Sequence, residues 1–111
     1  MSDELKTYLE DISHCISMIE KFMDGIKSFD QYQGNAMLKS AVQWQLSVIG
    51  EALNNALKMD AAIVITNARK IVDMRNKLIH GYDEVEDNIV WNVIVKYLPL
   101  LKAEVEKLIE Q

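Results

Sequence analysis

With 111 residues the chain is long enough for one domain with a real core and too short for two independent ones, so a single domain over 1–111 is expected. Half the residues are hydrophobic and only four Gly and one Pro are available for turns, which excludes a loop-rich fold and reads as all-α. A net charge of −5 excludes a general nucleic-acid binder with a basic footprint, and the single cysteine excludes an internal disulfide.

The start is acidic and polar rather than leader-like, and no apolar run reaches the roughly eighteen residues of a membrane span. A cytoplasmic protein with no membrane partner is expected. Ser2 is suited to N-cap a first helix, with Asp3 and Glu4 placed at its positive end. Leu5, Leu9, Ile12, Ile16, Ile19, Met23 and Ile26 then recur at alternating steps of four and three, which predicts a bundle helix to about Lys27 with one apolar seam. Its opposite face mixes acids and bases, unlike a helix that lies on a membrane. Cys15 sits among the seam isoleucines and reads as a small, half-buried hydrophobe, while His14 lies off the seam and reads as solvated.

Ser28 to Gly34 reads as a turn. A second helix should run from about Asn35 to Lys58, with Leu38, Val42, Leu46, Ile49, Leu53 and Leu57 inward and Ala41, Gly50 and Ala52 permitting close approach. Gly50 costs about 1 kcal/mol relative to alanine inside a helix, which calls for a packing or functional reason. Asp60 to Ile65 contains a β-branched run without a strand partner and reads as a short helix or linker. Thr66 is a candidate N-cap for a third long helix, docked by Ile71, Met74, Leu78 and Ile79 and closed by His80 before Gly81, with Tyr82 opening the next loop. Glu86 and Asp87 should open the last helix, which carries Val90, Trp91, Ile94, Leu98, Leu101, Val105 and Leu108 on one stripe. Pro99 removes a donor from that helix and predicts a kink near Val95. The sum is an antiparallel four-helix bundle with a short extra helix or linker.

The chemically capable side chains fall between Met74 and Tyr82. Arg75 offers a rigid fork of donors suited to phosphate oxygens, and histidine is the side chain whose unperturbed pKa allows proton transfer near neutrality. The pair suits phosphodiester chemistry. From Asn67 to His80 the cations Arg69, Lys70, Arg75 and Lys77 face one acid, Asp73, a local net charge of +3, and the acids Asp83, Glu84, Glu86 and Asp87 follow. Such an arrangement focuses an anion on a small site within an acidic protein. Five helical residues put Arg75 and His80 roughly 140° apart about the axis. Both can address one phosphate only if the last turn tightens, the arginine reaches around or a second copy completes the site; a homodimer is preferred. Neither a metal-ligand spacing nor a Gly-rich phosphate loop is present, so no metal and no cofactor are expected.

Arg75, His80 and Tyr82 stand in the order Arg-x4-His-x-Tyr, and in this the chain resembles the HEPN-domain family, in particular its HepT-like toxins. Ile49-Gly50-Glu51-Ala52, Arg75-Asn76, and Trp91 with Leu98-Pro99-Leu100 resemble further segments of that family, so the resemblance spans nearly the whole chain. Where many members carry Pro-Trp ahead of the motif helix, this chain has Ala61 to Ile65. The resemblance implies a homodimeric HEPN-like bundle and the toxin of a type VII-like toxin–antitoxin pair. It implies a metal-independent endoribonuclease in which His80 draws the proton from an RNA 2′-hydroxyl and Arg75 stabilises the charged transition state. Asn76 would donate a hydrogen bond or hold the helix end, and Glu51 would orient Arg75 or receive its charge. DNA lacks the attacking hydroxyl and would resist. The implied partner is a minimal nucleotidyltransferase antitoxin that AMPylates Tyr82. Two other readings stand beside it, a non-catalytic HEPN interaction module and a structural helical dimer. Separately from these, Glu51 equally reads as a simple surface residue.

Overall fold

Ser2 does cap the first helix: in the computed structural model, which describes residues 1–81 and 85–111, its Oγ accepts the Leu5 N–H at 3.1 Å and α1 runs Asp3–Phe22. The seam from Leu5 to Ile19 is buried as its spacing requires. The helix ends about one turn before Lys27, because Met23 is its C-cap and Gly25, at φ +82°, takes a conformation that only glycine adopts cheaply. Met23 and Ile26 still pack on the core, from outside the helix.

The segment read as a turn holds a short helix, α2, Phe29–Gln33, whose N-cap Ser28 accepts the Gln31 N–H. Its order comes from a distant residue. Phe29 and Tyr32, one turn apart, both lie against Trp91, at ring-centroid distances of 6.0 and 5.8 Å. α3, Ala36–Met59, starts as expected, with the Asn35 side chain accepting the Leu38 N–H at 3.0 Å, and buries Leu38, Val42, Leu46, Ile49 and Leu53. The short extra helix thus lies before α3; Asp60 to Ile65 is a linker that buries only Ile65.

α4, Ala68–His80, closes at the expected residue, but Thr66 does not cap it. The Thr66 N–H and hydroxyl instead bind the Glu104 carboxylate at 3.1 and 3.0 Å, a contact across 38 residues. Asn67 takes the N-cap position at φ +61°, a left-handed conformation that asparagine tolerates. Ile71, Val72, Met74 and Leu78 face the core, whereas Ile79, expected to dock, remains 47% exposed.

The last rod consists of α5, Asp87–Asn92, a π-helical stretch Val93–Tyr97, and α6, Leu98–Glu110. Around the expected disturbance near Val95 the rod widens into the π stretch. The Leu98 N–H reaches back five residues to the Val93 carbonyl, and Pro99 falls in the first turn of α6, where its missing donor is tolerated. The wider turn also shifts the apolar stripe, so Val93 is buried and Val95 is exposed.

α1 packs against both α3 and α6, and α3 packs against α4, giving an all-α, HEPN-like antiparallel bundle around one hydrophobic core. Lys39 and Asp87, both largely covered, join the start of α3 to α5 at 3.1 Å. Among the described residues, no helix is long and apolar enough to cross a membrane.

Candidate functional site

Where α4 crosses α3, the two backbones come close because Gly50 has no side chain. A Cβ at Gly50 would fall on the Cβ of Arg75 and 2.7 Å from its Cγ, so the aliphatic stem of Arg75 occupies the space that any other residue would fill. This is the packing reason that a glycine in the middle of a helix demands. The Arg75 side chain is only 13% exposed, and its Nη1 lies 3.2 Å from Oε2 of Glu51, the residue after Gly50. Glu51 is 55% exposed, so water screens the pair and its contribution to stability is about 0–1 kcal/mol. What the pair does is geometric: it holds one end of the guanidinium at the surface. Nε of Arg75 is buried and has no hydrogen-bond partner among the described residues.

His80 is the last residue of α4 and is exposed, and the Gly81 N–H closes the helix on the Lys77 carbonyl at 2.8 Å. Asn76 is exposed as well. Arg75 therefore faces inward against α3 while His80 faces solvent, consistent with the roughly 140° of an ideal helix. One chain does not bring the two together on a single face. Tyr82, the third motif residue, lies outside the described residues, as do Asp83 and Glu84.

Beside the Arg75–Glu51 pair runs a groove of about 500 Å³, lined chiefly by Tyr8, Trp44, Val48, Glu51, Leu78 and Ile79. Trp44 is 68% exposed. Besides the inward row of α3 there is thus a second, mixed row that the apolar pattern of the sequence does not reveal, although Trp44, Val48, Glu51 and Asn55 recur at steps of four, three and four, the spacing of a helix face. On α4, Ile79 falls about 40° from Arg75, between the directions of Arg75 and His80. The groove thus adjoins the sector that a composite site would need.

Other groups with chemical potential are placed for packing or solvation. Cys15 is buried, and burial followed by the charge of Asp11 pushes its thiol up, away from the reactive thiolate. His14 is exposed, and Trp91 is a partly buried aromatic packed against the core. Among the described residues, no group of three His, Cys, Asp or Glu side chains is arranged to hold a metal ion. What the site offers is a cation fixed by a carboxylate, an exposed imidazole at a helix end, and an apolar surface beside them.

The family described as Ribonuclease HepT-like matches residues 12–108. A Thermococcus cleftensis protein named "Probable ribonuclease HepT" is 35% identical over 105 residues, covering 93% of this chain and 94% of the relative. A candidate RNase of Caldanaerobacter subterraneus subsp. tengcongensis is 33% identical, covering 96% of this chain and 95% of its own length. A Methanocaldococcus jannaschii protein, named as a gamma-glutamylcyclotransferase and candidate RNase, is 31% identical across all of this chain, which spans 50% of that relative. No solved structure matches the chain.

Proposed function

Because the chain belongs to the HepT-like ribonuclease family, we propose that it is a metal-independent endoribonuclease and the toxin of a type VII-like toxin–antitoxin pair, acting in the cytoplasm on RNA and not on DNA. The observation that carries this reading is the pairing, on one helix of a ribonuclease-family protein, of an arginine fixed by Glu51 with an exposed histidine at the helix terminus.

His80 acts as the general base that removes the proton from an RNA 2′-hydroxyl. The freed oxygen attacks the adjacent phosphorus, the bond to the 5′-oxygen breaks, that oxygen takes a proton from water and leaves as the 5′-hydroxyl of one fragment, and a 2′,3′-cyclic phosphate is left on the other. Arg75 stabilises the negative charge that builds on the phosphorus oxygens, a service that its planar fork of donors suits. Glu51 positions Arg75 and yields when the phosphate arrives. Asn76 supplies a further donor.

The active unit is a homodimer. The exposed Trp44 and Ile79, with the partly buried Val48 between them in the groove beside Arg75, support this, since a second copy seated there covers apolar surface and brings its own motif toward the first. Regulation falls to a minimal nucleotidyltransferase antitoxin. The Tyr82 hydroxyl attacks the α-phosphorus of ATP, pyrophosphate leaves, and the AMP ester adds bulk and negative charge where an RNA phosphate must bind.

Mixing Arg75→Ala and His80→Ala chains tests the composite site: the mixture should regain RNA cleavage that neither variant has alone. Monomeric behaviour at micromolar concentration, with no recovery on mixing, would remove the dimer from the account.

A further inference from the structure

On the other flank of α4 lies a second groove that the site above leaves unexplained. It runs between α4 and the rod of α5 and the π stretch, holds about 320 Å³, and has Met74 and Val93 in its floor and Lys70, Lys77, Asn92 and Tyr97 on its rim. That volume is at the lower end of the roughly 300–1,000 Å³ of small-ligand sites.

Three observations converge on it. Lys70 Nζ lies 3.3 Å from the Tyr97 hydroxyl and 5.5 Å from the ring centroid, so a cation and an aromatic ring are held together at one lip. Both Val93 and Tyr97 belong to the π stretch, whose wider turn sets their direction, and π segments recur at functional sites. Lys77, at the other lip, precedes His80 by about 4.5 Å along the axis, and Lys70, Asp73, Lys77 and His80 fall within roughly 80° of one another around α4.

An apolar floor, an aromatic ring capped by Lys70 at one lip, and a second ammonium group, Lys77, one turn before His80 at the other match one nucleotide of a single strand: the nucleobase lies on the floor beside Tyr97, and its phosphate lies by Lys77, toward His80. Asp73 is the one acid on the rim among the described residues, paired loosely with Arg69 at 3.8 Å. It repels a phosphate and accepts from a base amino group, which puts the base on its side of the groove. We infer that this groove binds the nucleotide of the RNA substrate next to the cleaved linkage. The inference rests on the ribonuclease reading and extends its site by one nucleotide.

The test measures anisotropy of a short fluorescein-labelled 2′-O-methyl oligoribonucleotide, which lacks the attacking hydroxyl, together with cleavage of its unmodified counterpart. Lys77→Glu and Tyr97→Ala should each weaken binding by about 5- to 150-fold, the range for losing one stacked or charge-paired nucleotide. The loss in cleavage should appear mainly in KM rather than kcat. Lys6→Glu on α1 makes the same charge change far along the chain and should have a much smaller effect. Circular dichroism checks that Tyr97→Ala folds, and the exposed Lys77→Glu keeps the test decisive if it does not. Equal effects of Lys77→Glu and Lys6→Glu would overturn the inference. So would groove variants that bind the oligonucleotide normally but lose a protein partner. Failure of the ribonuclease reading looks different, with groove-dependent binding intact and no cleavage by the wild-type protein.

Discussion

Gly50 and Arg75 share one space: the side chain that Gly50 lacks is where the stem of Arg75 lies, and the next residue, Glu51, takes hold of its guanidinium at 3.2 Å. A backbone feature of α3 thereby sets the position of a charged group on α4. The two segments that carry the family resemblance in the middle of the chain are thus one contact, not two separate signatures.

Gly50→Ala should therefore harm more than an ordinary glycine replacement. The new methyl meets Arg75 at its own Cβ, which cannot swing away, so the helices must separate. Overpacking of this kind costs about 1–3 kcal/mol, offset by about 1 kcal/mol of improved helix propensity. Urea unfolding should show a net loss, and RNA cleavage should fall with it. An unchanged midpoint with full activity would show that the close approach is dispensable.

Removing the carboxylate separates stability from positioning. Glu51→Gln should change unfolding free energy by no more than about 1 kcal/mol, since the acid is half exposed. Cleavage should fall mainly in kcat, and Glu51→Asp should restore part of it. Should Glu51→Gln cleave RNA like the wild type, Glu51 is only a surface residue and does not position Arg75.

Tyr32 gives a prediction of the opposite sign. Its ring is fully buried and its hydroxyl has no hydrogen-bond partner among the described residues. Leaving such a group unpaired costs about 1–3 kcal/mol. Tyr32→Phe keeps the ring against Trp91 and removes the unpaired group, so Tm should rise by about 4 °C or more. A lower Tm would mean that the hydroxyl is bonded after all.

Alkaline pH should loosen the fold through two acids held neutral. Burial and then the charge of Asp11 raise the Cys15 thiol above its ordinary 9.0. Burial and then Asp87 raise the Tyr32 hydroxyl above its ordinary 10.0. Each group ionises more readily in the unfolded chain, so its contribution is fully present below the ordinary value and is lost as pH rises through the folded one. Unfolding free energy should decline above about pH 9, and the decline should be shallower in Cys15→Ala/Tyr32→Phe protein. Parallel declines would assign the alkaline loss to other groups.

What could be read from sequence was whatever depends on local chemistry. Ser2 and Asn35 cap helices because their side chains reach N–H groups three residues away, and α4 stops at His80 because Gly81 follows. Features that depend on distant partners were hidden. Thr66 looked like a cap but is bound by Glu104, and Phe29 to Gln33 is helical because Trp91 receives it. Pro99 announced a disturbance without announcing its form, the π stretch that turns Val93 inward. At the site, the angular separation of Arg75 and His80 followed from their spacing alone. Their surroundings did not: Gly50 beneath Arg75 and the exposed Trp44 and Ile79 alongside needed the packing of α3 on α4.

The central claim is that His80 removes a proton from an RNA 2′-hydroxyl beside Arg75. The most direct measurement compares wild-type and His80→Ala protein on one labelled RNA and on its all-DNA counterpart, with chelator present and product ends identified by mass. The account predicts RNA fragments ending in 2′,3′-cyclic phosphate, a drop of about 10²–10⁴-fold in His80→Ala, and intact DNA. DNA cut as readily as RNA, or full activity without His80, would contradict it.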